Sequence, residues 1–247
     1  MVRITPIFTL ALLPLALSFP SEKRDTPLTP TVSLTYATVV GPSSNKVDSF
    51  NGVPFAQPPV GQLRLRPPQP ISSSLGTIRA TGLANECPQM TPGASATPVA
   101  PSAINQDLIS QYTKALEIAQ SPGGSLRKRQ MTATESEDCL TVNIQRPSGV
   151  NATAKLPVLF YIFGGAFEVG TNNMDQTEFI AHSVNKGHPI IVVNVNYRLN
   201  GFGFLSGKDL LEEGSSNLGL LDQRAGLEWV ADNIEAFGGD PSKVTSR

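Results

Sequence analysis

Two continuous apolar runs stand out in the second half of the chain, at residues 157–163 and 189–195. Runs of this kind are typical of strands that are buried on both faces of a sheet. Just upstream, Leu140, Val142 and Ile144 alternate with polar residues. This alternation predicts a strand with one buried face and one solvated face.

Helical spacing appears between and after these strands. Apolar residues predict a short helix at 179–186 and a long helix at 220–234 that ends at Gly238 and Gly239. A further strand begins at 241–245. Because buried strands alternate with helices, we predict an α/β fold in which a parallel sheet carries helices on both faces.

The first half of the chain has less regular patterning. Residues 31–40 are rich in β-forming side chains, and 50–70 holds too many Pro and Gly residues for a regular helix. Apolar residues at helical spacing predict a short amphipathic helix at 104–116. Residues 121–136 have little to bury, and we expect that segment to be mobile.

The amino terminus has the pattern of a secretory signal peptide at residues 1–18. Arg3 precedes an apolar run, and the small residues Ala16 and Ser18 fit a cleavage site. The run is too short for a spanning helix, and the alternative is a buried element of the mature fold. We expect a secreted protein with a short pro-segment or disordered stretch at 19–30 and one domain at 31–247.

The two cysteines, Cys87 and Cys139, are interpreted in the light of secretion. An even pair in an oxidising compartment is most simply one disulfide, and two free buried thiols are the alternative. Residues Asn151, Ala152 and Thr153 form an N-glycosylation sequon, which predicts a glycan on Asn151.

Charge and motif content exclude several classes of function. The formal net charge is −1, so neither nucleic acid nor an anionic membrane is an expected partner. The sequence shows no metal-binding cluster, no phosphate-cradling glycine loop and no C-x-x-C motif. We therefore expect no metal and no cofactor, and the sequence leaves the oligomeric state open.

The most informative chemistry lies directly after the first buried strand, in the run Phe163-Gly164-Gly165-Ala166-Phe167. Two glycines at this point let the backbone turn sharply and approach a ligand. Backbone N–H groups in such a turn can stabilise the oxyanion of an acyl-transfer intermediate. The alternative is an ordinary turn that ends a strand.

Several motifs, in a fixed order, together resemble the type B carboxylesterases and lipases, the cholinesterase-like branch of the α/β-hydrolases. The matching stretches occur in the same order as in the family and cover roughly 31–245. They are 50–56, 58–64, 136–144 with Pro147, 163–167, 196–198, 201–204, 217–224 and 237–241.

This resemblance implies the α/β-hydrolase fold, of which the chain would hold the N-terminal part only, an incomplete central sheet with flanking helices. Gly165 and Ala166 would be two donors of the oxyanion hole. Ala166 stands where the family most often has glycine, so its methyl group would narrow the hole slightly. Cys87 and Cys139 would form the family's first disulfide, closing a flap loop whose helix is either a lid or a packed surface insert.

The resemblance also gives structural roles to four charged residues. Arg64 with Glu137, and Arg198 with Asp222, would form buried salt bridges that fix geometry. Gln145 departs from the family's apolar residue at its position, and we interpret it as a variation on the strand surface.

The family's catalytic triad follows the oxyanion turn in the chain, in the order Ser, acid, His. All three residues are expected beyond Arg247, and no substitute for the Gly-x-Ser-x-Gly turn occurs in the sequence. The two histidines, His182 and His188, are expected on a helix surface and in a loop. The resemblance thus implies a carboxylic-ester hydrolase acting on small-molecule or lipid esters, of which residues 1–247 alone would be inactive. The alternative is a non-catalytic cholinesterase-like binding or adhesion module.

Overall fold

A computed structural model describes residues 29–90 and 133–247. The predicted signal peptide at 1–18, most of the 19–30 segment and the predicted helix at 104–116 lie outside these residues. Within the described ranges, no helix has the length and apolar character needed to cross a bilayer.

A small sheet and a large sheet organise the described residues. The small sheet has the order β1-β2-β5, with β1 antiparallel to β2 and β2 parallel to β5. Its strands are β1 (Thr31–Ser33), β2 (Ala37–Val40) and β5 (Gly76–Arg79).

The large sheet has the order β3-β4-β6-β8-β7-β9. Strands β4, β6 and β8 pair antiparallel, whereas β8, β7 and β9 pair parallel. The sheet is therefore mixed: the predicted parallel pairing is present among β8, β7 and β9, whereas the first half of the sheet is antiparallel. The six strands are β3 (Ser43–Ser44), β4 (Val47–Pro54), β6 (Thr141–Pro147), β7 (Leu156–Ile162), β8 (Ile191–Val195) and β9 (Gly239–Ser246).

The helices explain where the sheet becomes parallel. A parallel pair needs a crossover connection, and helical crossovers link only β7 to β8 and β8 to β9 among the described elements. Of the predicted helices, the one at 179–186 corresponds to α1 and the one at 220–234 to α4. The helices are α1 (Thr177–Asn185), α2 (Asn200–Phe204), α3 (Lys208–Glu212) and α4 (Leu218–Asn233), with 3-10 turns at Gly61–Leu63 and Ile234–Phe237.

Two burial predictions are reversed in the structure. All seven residues of β6 are buried, although their sequence alternates between apolar and polar. In β7, by contrast, only Val158 and Phe160 are buried, although the strand is almost wholly apolar. The predictions fail because burial depends on what covers each face of the sheet as well as on the strand's own residues.

Gln145 of β6 shows the consequence for a single residue. We expected it on the strand surface, but only 6% of it is exposed. Its Nε2 donates to Ser49 Oγ at 3.1 Å, and its Oε1 accepts the Gln176 N–H at 2.8 Å. These bonds give both the nitrogen and the oxygen of the buried amide a partner.

The helix α4 packs closely against one face of the large sheet. A Cβ on Gly226 would lie 2.7 Å from Val195 Cγ2, so glycine is required for this approach. The side chain of Trp229 lies nearby and donates to Tyr36 Oη at 2.9 Å, and Tyr36 in turn donates to Pro54 O at 2.7 Å. This chain of bonds ties the amino-terminal part of the protein to α4.

Candidate active site

The segment that follows β7, which we call the glycine turn (residues 163–170), has a constrained backbone. The φ angles of Gly165, Ala166 and Phe167 are 141°, 56° and 63°. The carbonyl oxygen of Gly165 accepts the N–H groups of Glu168 and Val169 at 3.0 and 3.1 Å. A Cβ on Gly165 would lie 1.9 Å from Val169 O, so this position requires glycine. Ala166 and Phe167 have a left-handed backbone conformation that residues other than glycine rarely adopt.

The backbone N–H groups of Gly165 and Ala166 bind no acceptor among residues 29–90 and 133–247. Gly165 is half-buried and Ala166 is exposed. Two consecutive N–H groups that are exposed by a tight turn can form a concave site that suits an anion. Chemically, such a pair can bind an oxygen that gains negative charge during a reaction.

Phe163 and Tyr197 form the buried base of the glycine turn. Their rings stack with centroids 4.4 Å apart and an interplanar angle of 18°. The Tyr197 hydroxyl donates to Phe163 O at 2.7 Å. Burial raises the pKa of Tyr197 to about 12, so this hydroxyl remains a donor over the whole physiological range.

Asn200 holds the far side of the glycine turn. It has a left-handed φ of 45°, and its N–H donates to Phe167 O at 2.7 Å. Its side-chain Nδ2 donates to Pro88 O at 2.8 Å. Asn200 therefore connects the glycine turn to the segment that contains Cys87, which we call the flap stem (residues 86–90).

The flap stem is anchored by a disulfide between Cys87 and Cys139, which are 52 residues apart. A backbone bridge between Glu86 and Glu135 runs beside it. The Met90 N–H donates to Glu168 O at 2.9 Å, so the stem also contacts the glycine turn directly.

A network of buried asparagines lies below the glycine turn, and sequence reasoning missed it. Asn172 is fully buried, and its N–H donates to Asn196 Oδ1 at 2.9 Å. Its Nδ2 donates to Thr141 O at 3.0 Å, and its carbonyl accepts from Asn143 Nδ2 at 3.0 Å. The signal that could have revealed it was a set of asparagines in or directly after core strands: Asn143 in β6, Asn194 in the otherwise apolar β8, and Asn196 just after β8.

The structure pairs Arg198 with Asp222 in a two-point contact. Arg198 Nη2 lies 2.7 Å from Asp222 Oδ1, and Arg198 Nε lies 2.8 Å from Asp222 Oδ2. The Arg198 backbone N–H also donates to Asp222 Oδ2 at 3.0 Å, and both side chains are buried. This contact fixes the chain that leaves β8 and leads to Asn200.

The pair Arg64 and Glu137 differs from the prediction in its burial. Arg64 Nε lies 2.7 Å from Glu137 Oε2, but 53% of the Arg64 side chain and 29% of the Glu137 side chain are exposed. The Arg64 guanidinium also lies over the Phe202 ring, 5.4 Å from its centroid. The expected buried salt bridge is therefore a surface pair, and such pairs contribute about 0–1 kcal/mol.

The remaining residues singled out in the sequence lie away from the glycine turn. Asn151 is exposed in the turn before β7, whereas the glycine turn follows the other end of that strand. Its Oδ1 accepts the N–H and the hydroxyl of Thr153 at 3.0 and 2.7 Å. His182 is exposed on α1, and His188 is exposed in the loop before β8. No group of three or more His, Cys, Asp or Glu within the described ranges could hold a metal ion.

Comparison with protein families gives a match over nearly the whole chain. The model of the carboxylesterase family matches residues 28–246. The chain is 48% identical over 255 residues to Secreted lipase 1 of Botryotinia fuckeliana (strain B05.10), covering 98% of this chain and 41% of that relative. It is 50% identical over 217 residues to Secreted triacylglycerol lipase LIP1 of Gibberella zeae, covering 87% of this chain and 34% of that relative. The chain thus spans about two fifths or less of the length of these relatives.

Solved structures give the same result at the level of the fold. The crystal structure of Aspergillus niger EstA matches with a TM-score of 0.67 and 32% sequence identity, covering 88% of this chain and 35% of that one. A PNB esterase matches with a TM-score of 0.64 and 34% identity, covering 89% and 38%. These matches confirm the predicted fold class, the N-terminal part of an α/β-hydrolase.

Proposed function

The chain belongs to the carboxylesterase family, and from this premise we propose that it supplies the oxyanion-binding half of a secreted carboxylic-ester hydrolase. The observation that carries the proposal is the pair of N–H groups on Gly165 and Ala166, just after β7, which bind no acceptor in the part of the chain that the structure describes. In acyl transfer, the carbonyl oxygen of the ester becomes an oxyanion as the nucleophile attacks. Backbone donors held ready for that oxyanion lower the barrier.

The rest of the catalytic apparatus is proposed to come from residues that follow β9 in a longer polypeptide. In this fold the nucleophilic serine, the acid and the histidine come in that order after the oxyanion turn. The serine attacks, the histidine takes its proton, and the acid orients the histidine. Residues 1–247 by themselves are proposed to be inactive, because His182 and His188 lie on the surface away from the glycine turn.

The proposed substrates are small-molecule or lipid esters of carboxylic acids. Two relatives carry the names of secreted lipases, one of them a triacylglycerol lipase, which supports both the substrate class and secretion. The sequon at Asn151 is exposed, as a glycan acceptor in a secreted protein should be. We propose that Asn151 is glycosylated and that residues 1–18 are removed as a signal peptide.

A chimera tests the activity. The matching N-terminal part of Secreted lipase 1 is replaced by this chain, and the secreted product is assayed with p-nitrophenyl butyrate and with a fluorophosphonate probe. We expect ester hydrolysis and labelling of one serine in the chimera, and neither in residues 1–247 alone. A folded, disulfide-bonded chimera without hydrolysis would favour the non-catalytic binding module instead.

A pair of glycine substitutions tests the role of the glycine turn in that chimera. We expect Gly165→Ala to lower kcat by roughly 100-fold, since its Cβ would meet Val169 O and displace a donor of the oxyanion hole. Gly164→Ala is the matched control, because its Cβ meets no atom within 4 Å and its loss should be much smaller. Equal losses in the two variants would count against the proposed donors.

A further inference from the structure

The side-chain amide of Gln89 in the flap stem binds both backbone polar groups of Gly170. Gln89 Oε1 accepts the Gly170 N–H at 2.7 Å, and Gln89 Nε2 donates to Gly170 O at 2.9 Å. The same Nε2 donates to Cys87 O at 2.7 Å. Both hydrogens of the amide are therefore used, and a two-point contact of this kind fixes orientation as well as distance.

Gly170 ends the glycine turn and packs against the residues that begin it. Its φ is 133°, and a Cβ there would lie 2.3 Å from Phe163 Cδ2 and 2.9 Å from Gly164 O. The residue that ends the turn is thus packed against the two residues that begin it. Because Gly165 and Ala166 lie between these ends, a shift of Gly170 changes the direction of their N–H groups.

Gln89 is itself held from its own side of the contact. Its N–H donates to Glu135 Oε2 at 3.2 Å, and the disulfide lies two residues away at Cys87. Its neighbour Met90 donates to Glu168 O at 2.9 Å. The disulfide and these hydrogen bonds therefore restrain the backbone of the flap stem, so the position of Gln89 relative to the turn is fixed.

We infer that Gln89 is a positioning residue that sets the geometry of the oxyanion donors Gly165 and Ala166 through its two-point contact with Gly170. The flap stem and the glycine turn then move as one unit. A change in the position of the flap stem therefore changes how well the two N–H groups stabilise the transition state. The catalytic part of this role rests on the proposed function, whereas the mechanical part does not.

Hydrogen exchange of the chain itself tests the mechanical part. We expect Gln89→Ala to speed exchange of the Glu168 and Val169 amides roughly tenfold, although neither amide contacts Gln89, because their acceptor Gly165 O loses its support. The matched control is Asn85→Ala, which removes a bond from Asn85 Nδ2 to Asp138 O at 3.1 Å beside the same stem. Unchanged exchange of Glu168 and Val169 in Gln89→Ala would overturn the inference.

Kinetics of the chimera test the catalytic part. The isosteric variant Gln89→Glu sets a carboxylate against the carbonyl oxygens of Gly170 and Cys87. We expect its kcat to fall roughly tenfold relative to the parent at pH 8 with KM nearly unchanged, and the ratio to recover as lower pH protonates the carboxyl group. A merely structural defect would lower the amount of folded enzyme and leave this pH dependence of the ratio absent.

The two measurements separate the possible failures. Faster exchange with an unchanged kcat ratio overturns the catalytic role and keeps the mechanical one. An inactive parent chimera contradicts the proposed function, and the exchange result alone then decides whether Gln89 holds the turn.

Discussion

Strands β6 and β7 lie two positions apart in the same sheet, yet their sequences and their burial are opposed. β6 carries Thr, Asn, Gln and Arg and is buried along its whole length. β7 is almost wholly apolar, yet five of its seven residues are partly or fully exposed. One face of each strand contributes to the same core, through Val142 and Ile144 in β6 and through Val158 and Phe160 in β7.

The difference lies on the opposite face of the sheet. There, α1 and the loop that precedes it cover β6, and polar groups from that loop meet the strand's own polar side chains. The alternate residues of β7, Leu159 and Tyr161, have only partial cover. A polar strand can therefore be buried where its polar side chains find partners, and an apolar strand is buried only where another layer lies on it.

The largest expected effect comes from the face that both strands share. Phe160 is fully buried, and its ring lies 3.4 Å from the position of a Cβ on Gly226 of α4. We expect Phe160→Ala to lower the free energy of unfolding by about 3–5 kcal/mol, since it removes a ring and leaves a cavity. Urea unfolding followed by fluorescence of the single tryptophan, Trp229, measures it. A loss below about 1 kcal/mol would show that β7 is loosely packed on both faces.

An intermediate effect is expected from an apolar substitution in β6. Asn143→Leu removes the acceptor of the Gly52 N–H at 2.7 Å and the donor to Asn172 O at 3.0 Å. Because these backbone groups then lack their partners, we expect a loss of about 2 kcal/mol in the same unfolding experiment. A neutral or stabilising result would mean that the polar network contributes nothing to the burial of β6.

The converse substitution in β7 should be milder. Leu159 is half-buried against Ile180 and Val192, so Leu159→Asn loses only part of the transfer free energy of a leucine. We expect a loss of about 1 kcal/mol. If Leu159→Asn destabilises more than Asn143→Leu, the contrast between the two strands is reversed.

The smallest effect on stability is expected in β9, which is the last strand in the described sheet. In the described sheet, β7 pairs with both β8 and β9, and no described strand pairs with the other side of β9. The Arg247 N–H donates to Phe160 O, so by alternation the Ser246 N–H faces away from β7. Ser246→Pro should change stability by less than about 0.5 kcal/mol and reduce self-association of the isolated chain, since edge prolines block pairing between molecules. Light scattering at micromolar concentration measures this, with Ser246→Ala as the control.

Much of the fold was accessible from the sequence, because apolar runs and helical spacing locate β7, β8, α1 and α4 within a few residues. The mixed character of the sheet was not, since the pairing of β6 with β8 and β4 is set by long-range contacts that local patterns do not encode. The predictions of burial for β6 and β7 failed for the same reason. The layer that covers a strand comes from residues distant in sequence, such as Asn172 and Gln176 over β6.

The candidate site shows a second limit of sequence patterns. The double glycine after β7 predicts Gly165 and Ala166 as oxyanion donors, but it does not predict which residues support the turn. Of the residues that hold the turn, Gln89 lies in a loop and Asn200 begins the short helix α2, and no periodicity marks either of them. Their side chains act on backbone atoms far away in the chain, and only the folded structure brings these groups together.

The bond between Trp229 and Tyr36 has a consequence for the order in which the protein is made. The two residues are 193 positions apart, so the amino-terminal sheet leaves the ribosome long before its partner on α4 exists. At about 5–20 residues per second, this interval is roughly 10–40 s. During that time the Tyr36 hydroxyl lacks its indole donor and α4 is not there to pack against the sheet. The packing of the amino-terminal sheet is therefore completed only after translation has passed Trp229.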